Sequence, residues 1–113
     1  METFEIVLGP AAQRELKKLE RRDQLTIVKV LDGLAQNSRP HGVEKLRAHP
    51  KFLRISAGKD HRVIYHIFHS MIVVLVIRDR KEAYRSLDDL DGKLAAALRA
   101  IEQEAVAQFR ASG

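Results

Sequence analysis

The sequence predicts a small α+β domain in the order β-α-α-β-β-β-α, with a mostly antiparallel sheet, an N-terminal helical hairpin packed on one sheet face and a C-terminal helix. Three observations predict this class. Apolar residues recur at helical spacing near both ends of the chain, they alternate with polar residues between these ends, and a continuous β-branched run follows. The length of 113 residues fits one domain, and 45% hydrophobic with 31% charged residues is typical of a globular protein.

The first third of the chain predicts a strand followed by two helices. Residues 3–8 alternate between apolar and polar side chains, as a half-buried strand does. Gly9 and Pro10 end that strand, and proline suits the first turn of a helix that runs to Glu20. Asp23 is the predicted N-cap of a second helix. The apolar face of that helix comprises Ile27, Val28, Leu31 and Leu34.

The middle of the chain predicts three strands joined by short turns. Residues 37–42 are a loop by composition, and residues 45–50 are half-extended, with a helical start as the alternative. Strands are predicted over the ranges 52–56, 62–68 and 72–77, with a turn at 57–60. The range 72–77 is apolar and β-branched almost throughout, so we expect it at the centre of the sheet, buried on both faces. Tyr65 is expected in the core.

The C-terminal segment predicts one long helix. Residues 86–89, Ser-Leu-Asp-Asp, resemble a capping box with aspartate in place of the usual glutamate. The apolar stripe of the helix comprises Leu87, Leu90, Leu94, Leu98, Ile101, Ala105 and Phe109. We expect the helix to pack on its own sheet, and the alternatives are that it dimerises or covers the basic face. Residues 1–87 then form the main body, and residues 88–113 are a helical extension of the same domain.

Several classes of function are excluded or disfavoured. The chain has no cysteine, which excludes disulfides, thiolate metal sites and a cysteine nucleophile and suits a cytoplasmic protein. The N-terminus lacks signal-peptide features, and the longest apolar run, residues 71–77, is too short to cross a membrane. No Walker, dinucleotide-binding or serine-esterase motif occurs. No metal or other cofactor is expected, because the histidines lack ligand spacing; they are His41, His49, His61, His66 and His69.

The positive charge is concentrated in the main body. The chain carries a net charge of +5, of which residues 1–87 contribute +7 and residues 88–113 contribute −2. A basic body suggests a polyanionic partner. Ten basic residues lie between positions 45 and 85, namely Lys45, Arg47, Lys51, Arg54, Lys59, Arg62, Arg78, Arg80, Lys81 and Arg85.

Three of these arginines lie on or beside successive predicted strands. If the strands pair as a meander, Arg54, Arg62 and Arg78 share one sheet face. Several guanidinium groups on one face form an anion site, because each presents a planar fork that fits phosphate. The alternative is that they are solvated positions on an exposed face. Tyr84 lies among basic residues, where a phenol can stack on a base or bond to phosphate.

A series of motifs in a fixed order links these segments. Pro40-x-Gly42-x-x-Lys45-Leu46-Arg47 is followed by a strand containing Arg54, by residues 60–65 (Asp-His-Arg-Val-Ile-Tyr), and by residues 78–85 (Arg-Asp-Arg-Lys-Glu-Ala-Tyr-Arg). In this order and over residues 3–86, the chain resembles the RelE branch of the RelE/ParE toxin superfamily. Each fragment by itself is only weakly specific for the family, whereas the complete series in this order is fairly specific.

The resemblance implies a toxin of a type II toxin–antitoxin system. RelE-like toxins are metal-independent ribonucleases that cut mRNA in the ribosomal A site, and an antitoxin that wraps the sheet silences them. The expected partners are therefore a cognate antitoxin, mRNA and the ribosome. In this chemistry a ribose 2′-hydroxyl attacks the adjacent phosphate, which requires a base, cations for the transition-state charge and an acid for the leaving oxygen.

The resemblance also assigns roles to residues. Arg62 matches the family's phosphate-binding arginine, and Arg78 and Arg80 both fall near its second arginine. Tyr84 matches the C-terminal catalytic or stacking tyrosine, and Arg54 falls where the family often has a basic strand residue. Contacts with RNA are expected from Lys45, Arg47, Lys51, Arg54, Lys59, Lys81 and Arg85.

One departure from the family concerns the general base. Where RelE places a catalytic lysine, just past Arg54, this chain has Ser56; relatives use a glutamate or histidines. The local substitutes are His61, His66, Lys51 and Lys59, of which His61 is the candidate because an imidazole titrates near neutral pH. The alternative functions are a ParE-like toxin that inhibits DNA gyrase, and a non-catalytic binding module of the same fold.

Overall fold

A computed structural model describes residues 3–83, 85 and 87–112, apart from the side chain of Asp88. In these residues five strands form one sheet in the order β1-β5-β4-β3-β2. The strands are β1 (Glu5–Leu8), β2 (Glu44–Lys45), β3 (Leu53–Ala57), β4 (His61–Phe68) and β5 (Met71–Asp79). The helices are α1 (Pro10–Lys17), α2 (Arg21–Gln36) and α3 (Leu90–Ser112). The predicted α+β class and element order are confirmed, with one additional strand.

The sheet is antiparallel except at one edge. Strand β1 pairs in parallel with β5, whereas β2, β3, β4 and β5 pair antiparallel in succession. The additional strand is β2, which overlaps the segment predicted to be half-extended at Lys45 only. The chain then folds back to β3, with the Leu46 N–H donating to the Phe52 carbonyl and the His49 N–H to the Leu46 carbonyl. The alternative of a helical start to this segment was wrong.

Helices cover both faces of the sheet. The hairpin of α1 and α2 packs on the face that includes Val63 and Tyr65 of β4, and α3 packs on the face that includes Ile64. Strand β5 contributes side chains to both cores, and its residues 72–77 are all buried. Its predicted position at a doubly covered part of the sheet is confirmed. Tyr65 is fully buried as expected, and its hydroxyl donates to the Ser38 carbonyl at 2.7 Å.

Helix α2 differs from the prediction at its start and on one flank. It begins at Arg21, with Glu20 in the capping position and Asp23 inside the first turn, so the prediction of Asp23 as the N-cap was wrong. Arg21 and Arg22 are exposed there, so solvent screens their charges from the positive end of the helix dipole. Val28 is 43% exposed, because the row that meets the sheet is Ile27, Leu31 and Leu34.

Helix α3 packs on the sheet with its first half. A short 3-10 turn at Leu87–Asp89 precedes it, and Ser86 of the predicted capping box lies outside the described residues. Its Leu90, Leu94 and Ala97 are buried. Residues 102–112 are exposed, and Phe109 is 79% exposed although its spacing placed it on the core stripe. The stripe continues past the sheet, so the expected packing holds only for the first three turns. In the described residues, no helix combines the length and hydropathy needed to cross a membrane.

Candidate functional site

The strand register gathers basic side chains on one face of the sheet. Ser56 of β3 lies opposite Arg62 of β4, which in turn lies opposite Arg78 of β5. Directly opposed residues project to the same face, and residues two apart on a strand do so as well. Arg54 therefore shares this face with Arg62 and Arg78, as the meander prediction required. Helix α3 covers the same face further along the strands.

An open pocket of about 500 Å³ lies at the uncovered end of this face. Its lining includes Glu44, Arg54, Ser56, Arg62, Arg80 and Lys81. Four cationic side chains and one carboxylate give it a net positive charge. Guanidinium groups bind phosphate through paired N–H donors, so the pocket has the composition of a phosphate site.

Arg62 is anchored to the turn between β3 and β4. Its Nη1 donates to the His61 carbonyl at 2.8 Å and to the Lys59 carbonyl at 3.3 Å. Gly58 in this turn has a φ of 67°, a conformation that favours glycine. The tight turn and its two carbonyls thus hold the guanidinium at the pocket wall.

Arg78 and Arg80 occupy different environments, which separates two residues that spacing alone left equivalent. The Nε of Arg78 lies 2.5 Å from Glu15 Oε2 of α1, and its Nη1 donates to the Arg85 carbonyl at 3.1 Å. Glu15 also accepts a hydrogen bond from the Ile77 N–H at 3.3 Å. Strand β1 pairs only with residues 71–74 of β5, so this carboxylate provides a hydrogen-bond acceptor for the part of β5 that extends beyond β1. Arg80 instead lines the pocket.

His61 does not join the pocket. It lies opposite Ala57 and Asp79, one residue out of phase with Arg62, and so projects from the other sheet face. There it lines a smaller depression near the start of α2, together with Lys59 and Arg22. Lys59 and His61 therefore line a different depression from the one lined by Arg54 and Arg62.

The family is decided by a match along most of the chain. Residues 6–84 match the family model described as the ParE toxin of the type II toxin–antitoxin system, parDE. The chain belongs to this toxin family. No curated protein matches it in sequence.

Solved structures of toxins from the same superfamily share the fold. The toxin is similar to the archaeal RelE–RelB complex from Pyrococcus horikoshii, with a TM-score of 0.61, 23% identity, and coverage of 72% of this chain and 99% of that one. A free RelE mutant from E. coli gives a TM-score of 0.61 at 19% identity, covering 88% of this chain and 98% of that one. The YoeB dimer from Staphylococcus aureus gives a TM-score of 0.59 at 18% identity, covering 67% of this chain and 95% of that one. The predicted resemblance to the RelE/ParE superfamily is confirmed.

Glu44 is the pocket residue of the toxin that the sequence reading missed. It lies on β2 directly opposite Arg54, and its carboxylate forms an ion pair with the Arg54 guanidinium. A carboxylate that lines a phosphate pocket is able to accept a proton from a hydroxyl group. The signal available in the sequence was its position just before the Lys45-Leu46-Arg47 motif.

Two of the remaining predicted RNA-binding residues make ion pairs away from the pocket. Lys51 pairs with Asp91 in the first turn of α3, and the hydrogen bond from Lys51 lowers the pKa of the Asp91 carboxyl. The Nη1 of Arg85 lies 3.4 Å from Oε1 of Glu82, and this ion pair is exposed on the surface. Lys45 and Arg47 line a second depression beside the pocket. Tyr84 lies outside the described residues.

His66 has a structural environment. Its Nδ1 lies 2.9 Å from the Lys51 carbonyl, and because a carbonyl only accepts, Nδ1 carries the proton. Its ring lies between those of Phe52 and Phe68, with centroids 5.8 and 6.5 Å away. Of the four substitutes considered for the missing strand lysine, none lines the pocket. The described residues contain no group of three or more histidine and carboxylate side chains placed to hold a metal ion.

Proposed function

We propose that this toxin is a metal-independent endoribonuclease that acts on mRNA at the ribosome in the cytoplasm and so inhibits translation. The proposal rests on the pocket, which is lined by the carboxylate of Glu44 together with four cationic residues, Arg54, Arg62, Arg80 and Lys81. A phosphate seated among these cations has both a carboxylate and an exposed serine hydroxyl, that of Ser56, within the same cavity.

The reaction uses Glu44 as the base. Glu44 takes the proton of a ribose 2′-hydroxyl, the 2′-oxygen forms a bond to phosphorus, and the bond from phosphorus to the 5′-oxygen breaks. Arg62 and Arg80 stabilise the additional negative charge on the phosphorane, and such preorganised charge is often the largest catalytic contribution. The leaving 5′-oxygen receives a proton, for which Tyr84 is the candidate. The products are a 2′,3′-cyclic phosphate end and a 5′-hydroxyl end.

Arg54 has a positioning role in this scheme. Its guanidinium pairs with Glu44 across the β2–β3 ladder, which orients the carboxylate towards the bound nucleotide. The same pair explains how Ser56 can occupy the place of a catalytic lysine, because the base is supplied by the neighbouring strand. Glu44 is favoured over His61 as the base, because His61 projects from the other face of the sheet.

A cognate antitoxin is the proposed protein partner. Similar toxins from Pyrococcus horikoshii and E. coli were crystallised as RelE–RelB and RelBE complexes. An antitoxin that covers the pocket of this chain would exclude RNA from Arg62 and Arg80. Acidic segments of such a partner would match the exposed basic rim.

Inhibition of DNA gyrase is the second candidate, because the matching family model is that of the ParE toxin. The two candidates predict different damage. A ribonuclease leaves cut mRNA with intact DNA, whereas a gyrase inhibitor leaves DNA breaks with intact mRNA.

The deciding experiment is induced expression followed by mapping of mRNA ends. We expect growth arrest, mRNA cut within reading frames and cyclic phosphate at the new 3′ ends. The Arg62→Ala/Arg80→Ala double variant should reduce cleavage at least about a hundredfold, as loss of transition-state donors does. The matched control, Arg99→Ala/Arg110→Ala, removes two exposed arginines of α3 and should leave cleavage unchanged. Arrest with intact mRNA and broken DNA would instead assign the toxin to gyrase, and absence of arrest would favour a binding module.

A further inference from the structure

A second depression adjoins the pocket and shares one wall with it. Its volume is about 450 Å³, and both cavities are lined by Glu44 and Arg54. The Glu44–Arg54 ion pair therefore forms the boundary between them. Beyond this boundary the chain of β2 continues into a turn, and residues 46–49 of this turn line the depression.

The depression combines a basic rim with an apolar and aromatic lining. Lys45 and Arg47 are exposed at the rim, and the half-buried Leu87 and His49 offer flat or apolar surface. The His49 ring is held edge-on against Phe52, with 6.2 Å between the centroids. Single-stranded nucleic acids are bound by this combination, in which bases stack on rings and cations follow the phosphates.

We propose that this depression is a subsite for the nucleotide next to the dinucleotide that contains the scissile phosphate. The base lies against His49 and Leu87, and the flanking phosphate contacts Arg47 and Lys45. This inference rests on the proposed ribonuclease function and deepens it, since it makes the toxin contact at least one nucleotide beyond the cleaved dinucleotide.

The test measures binding separately from cleavage. The ligands are 2′-O-methyl RNA oligonucleotides, which lack the attacking hydroxyl: a dinucleotide, and trinucleotides extended by one residue at the 5′ or the 3′ side. Fluorescence anisotropy at low salt gives the affinity of the full chain and of its variants. We expect one of the trinucleotides to bind about tenfold more tightly than the dinucleotide, the gain of one stacked base.

The variants separate the subsite from the pocket. Arg47→Ala and His49→Ala should abolish the gain on extension and leave dinucleotide binding unchanged. Arg62→Ala should weaken both ligands by the same factor, and the control Arg110→Ala should weaken neither. For the extended oligonucleotide, Arg47→Ala should also reduce the slope of log K against log salt by about 0.7, the value for one lost phosphate contact on a single strand.

Several outcomes would overturn the subsite. If both trinucleotides bind as the dinucleotide does, or if Arg47→Ala weakens all ligands equally, the subsite is wrong while the ribonuclease proposal stands. If mRNA is cleaved in cells but the trinucleotides bind no more tightly than the dinucleotide, the conclusion is the same: the subsite is wrong and the ribonuclease proposal stands. If none of the oligonucleotides binds, the subsite fails together with RNA binding by the pocket. Arg47-dependent binding of an acidic peptide, with no gain for the trinucleotides, would assign the depression to a protein partner.

Discussion

At the scale of single residues, Arg78 near the end of β5 and Arg80 just after it have different roles. Arg78 is partly buried and bonds to Glu15 and to the Arg85 carbonyl, so it connects β5 to α1 and to the following loop. We expect Arg78→Ala to lower the free energy of unfolding by about 1–3 kcal/mol, since it leaves Glu15 without its charged partner. Arg80→Ala should change stability by less than about 0.5 kcal/mol, as exposed substitutions do. Urea denaturation measures both.

The control for this pair is the assay of mRNA cleavage. Arg80→Ala should abolish most cleavage in a chain of normal stability, whereas Arg78→Ala should act mainly through stability. A Glu15→Gln variant should reproduce the stability loss of Arg78→Ala, and the double variant should lose little more, because the two side chains form one interaction. Equal stability of the Arg78→Ala and Arg80→Ala chains would contradict this division.

Tyr65 gives the fold a dependence on alkaline pH. Burial raises the pKa of its phenol from 10.0 to about 12. The unfolded chain therefore loses this proton first, and the stability contributed by neutral Tyr65 is present below pH 10 and is lost as the pH rises towards 12. A shift of about two units corresponds to roughly 2–3 kcal/mol.

The measurement is the free energy of unfolding between pH 8 and 12. In Tyr65→Phe, which also loses the bond to the Ser38 carbonyl, stability should be about 1 kcal/mol lower at pH 8 and should fall less steeply above pH 10. Tyr84→Phe is the matched control, because Tyr84 is the other tyrosine of the chain. In that variant the ultraviolet titration reports Tyr65 alone. A titration midpoint near pH 10 would show that burial does not raise the pKa of Tyr65.

At the scale of elements, α3 consists of a packed half and an exposed half. Deletion of residues 102–113 removes side chains that are exposed where the structure describes them, so it should shift the thermal midpoint by only a few degrees. Leu94→Ala should cost more, about 2–3 kcal/mol, because Leu94 is buried against the sheet. A truncated chain that fails to fold would show that the exposed half is required for stability.

The elements also show what sequence patterns could predict. Apolar alternation predicted the strand that became β4, and the continuous apolar run predicted that β5 is covered on both sides; both signals arise from burial. Strand β2 was missed because two residues are too few for a period, and its pairing depends on the turn that follows. Glu44 was missed with it, since its partner Arg54 is ten positions away and becomes a neighbour only through that pairing.

At the scale of the whole molecule, the sheet is a partition between two cores that share β5. Ile72 faces the core under α1 and α2, and Ile64 of the adjacent strand faces the core under α3. The partition also explains why the sequence could gather Arg54 and Arg62 correctly yet misplace His61. A one-residue offset along a strand places a side chain on the other face of the sheet. His61 was predicted as the general base from the chemistry of imidazole alone, and that criterion does not say on which face the residue lies.

Because both cores depend on β5, we expect the toxin to unfold in one transition. Ile72→Val and Ile64→Val each remove one buried methylene group, one from each core, and each should lower the free energy of unfolding by about 0.5–1.5 kcal/mol. Both should shift the entire transition, followed by far-ultraviolet circular dichroism and by tyrosine fluorescence, without separating the two signals. The exposed Val28→Ala is the control and should have a smaller effect. A variant in which helical signal persists after the tyrosine signal is lost would show that the two cores unfold independently.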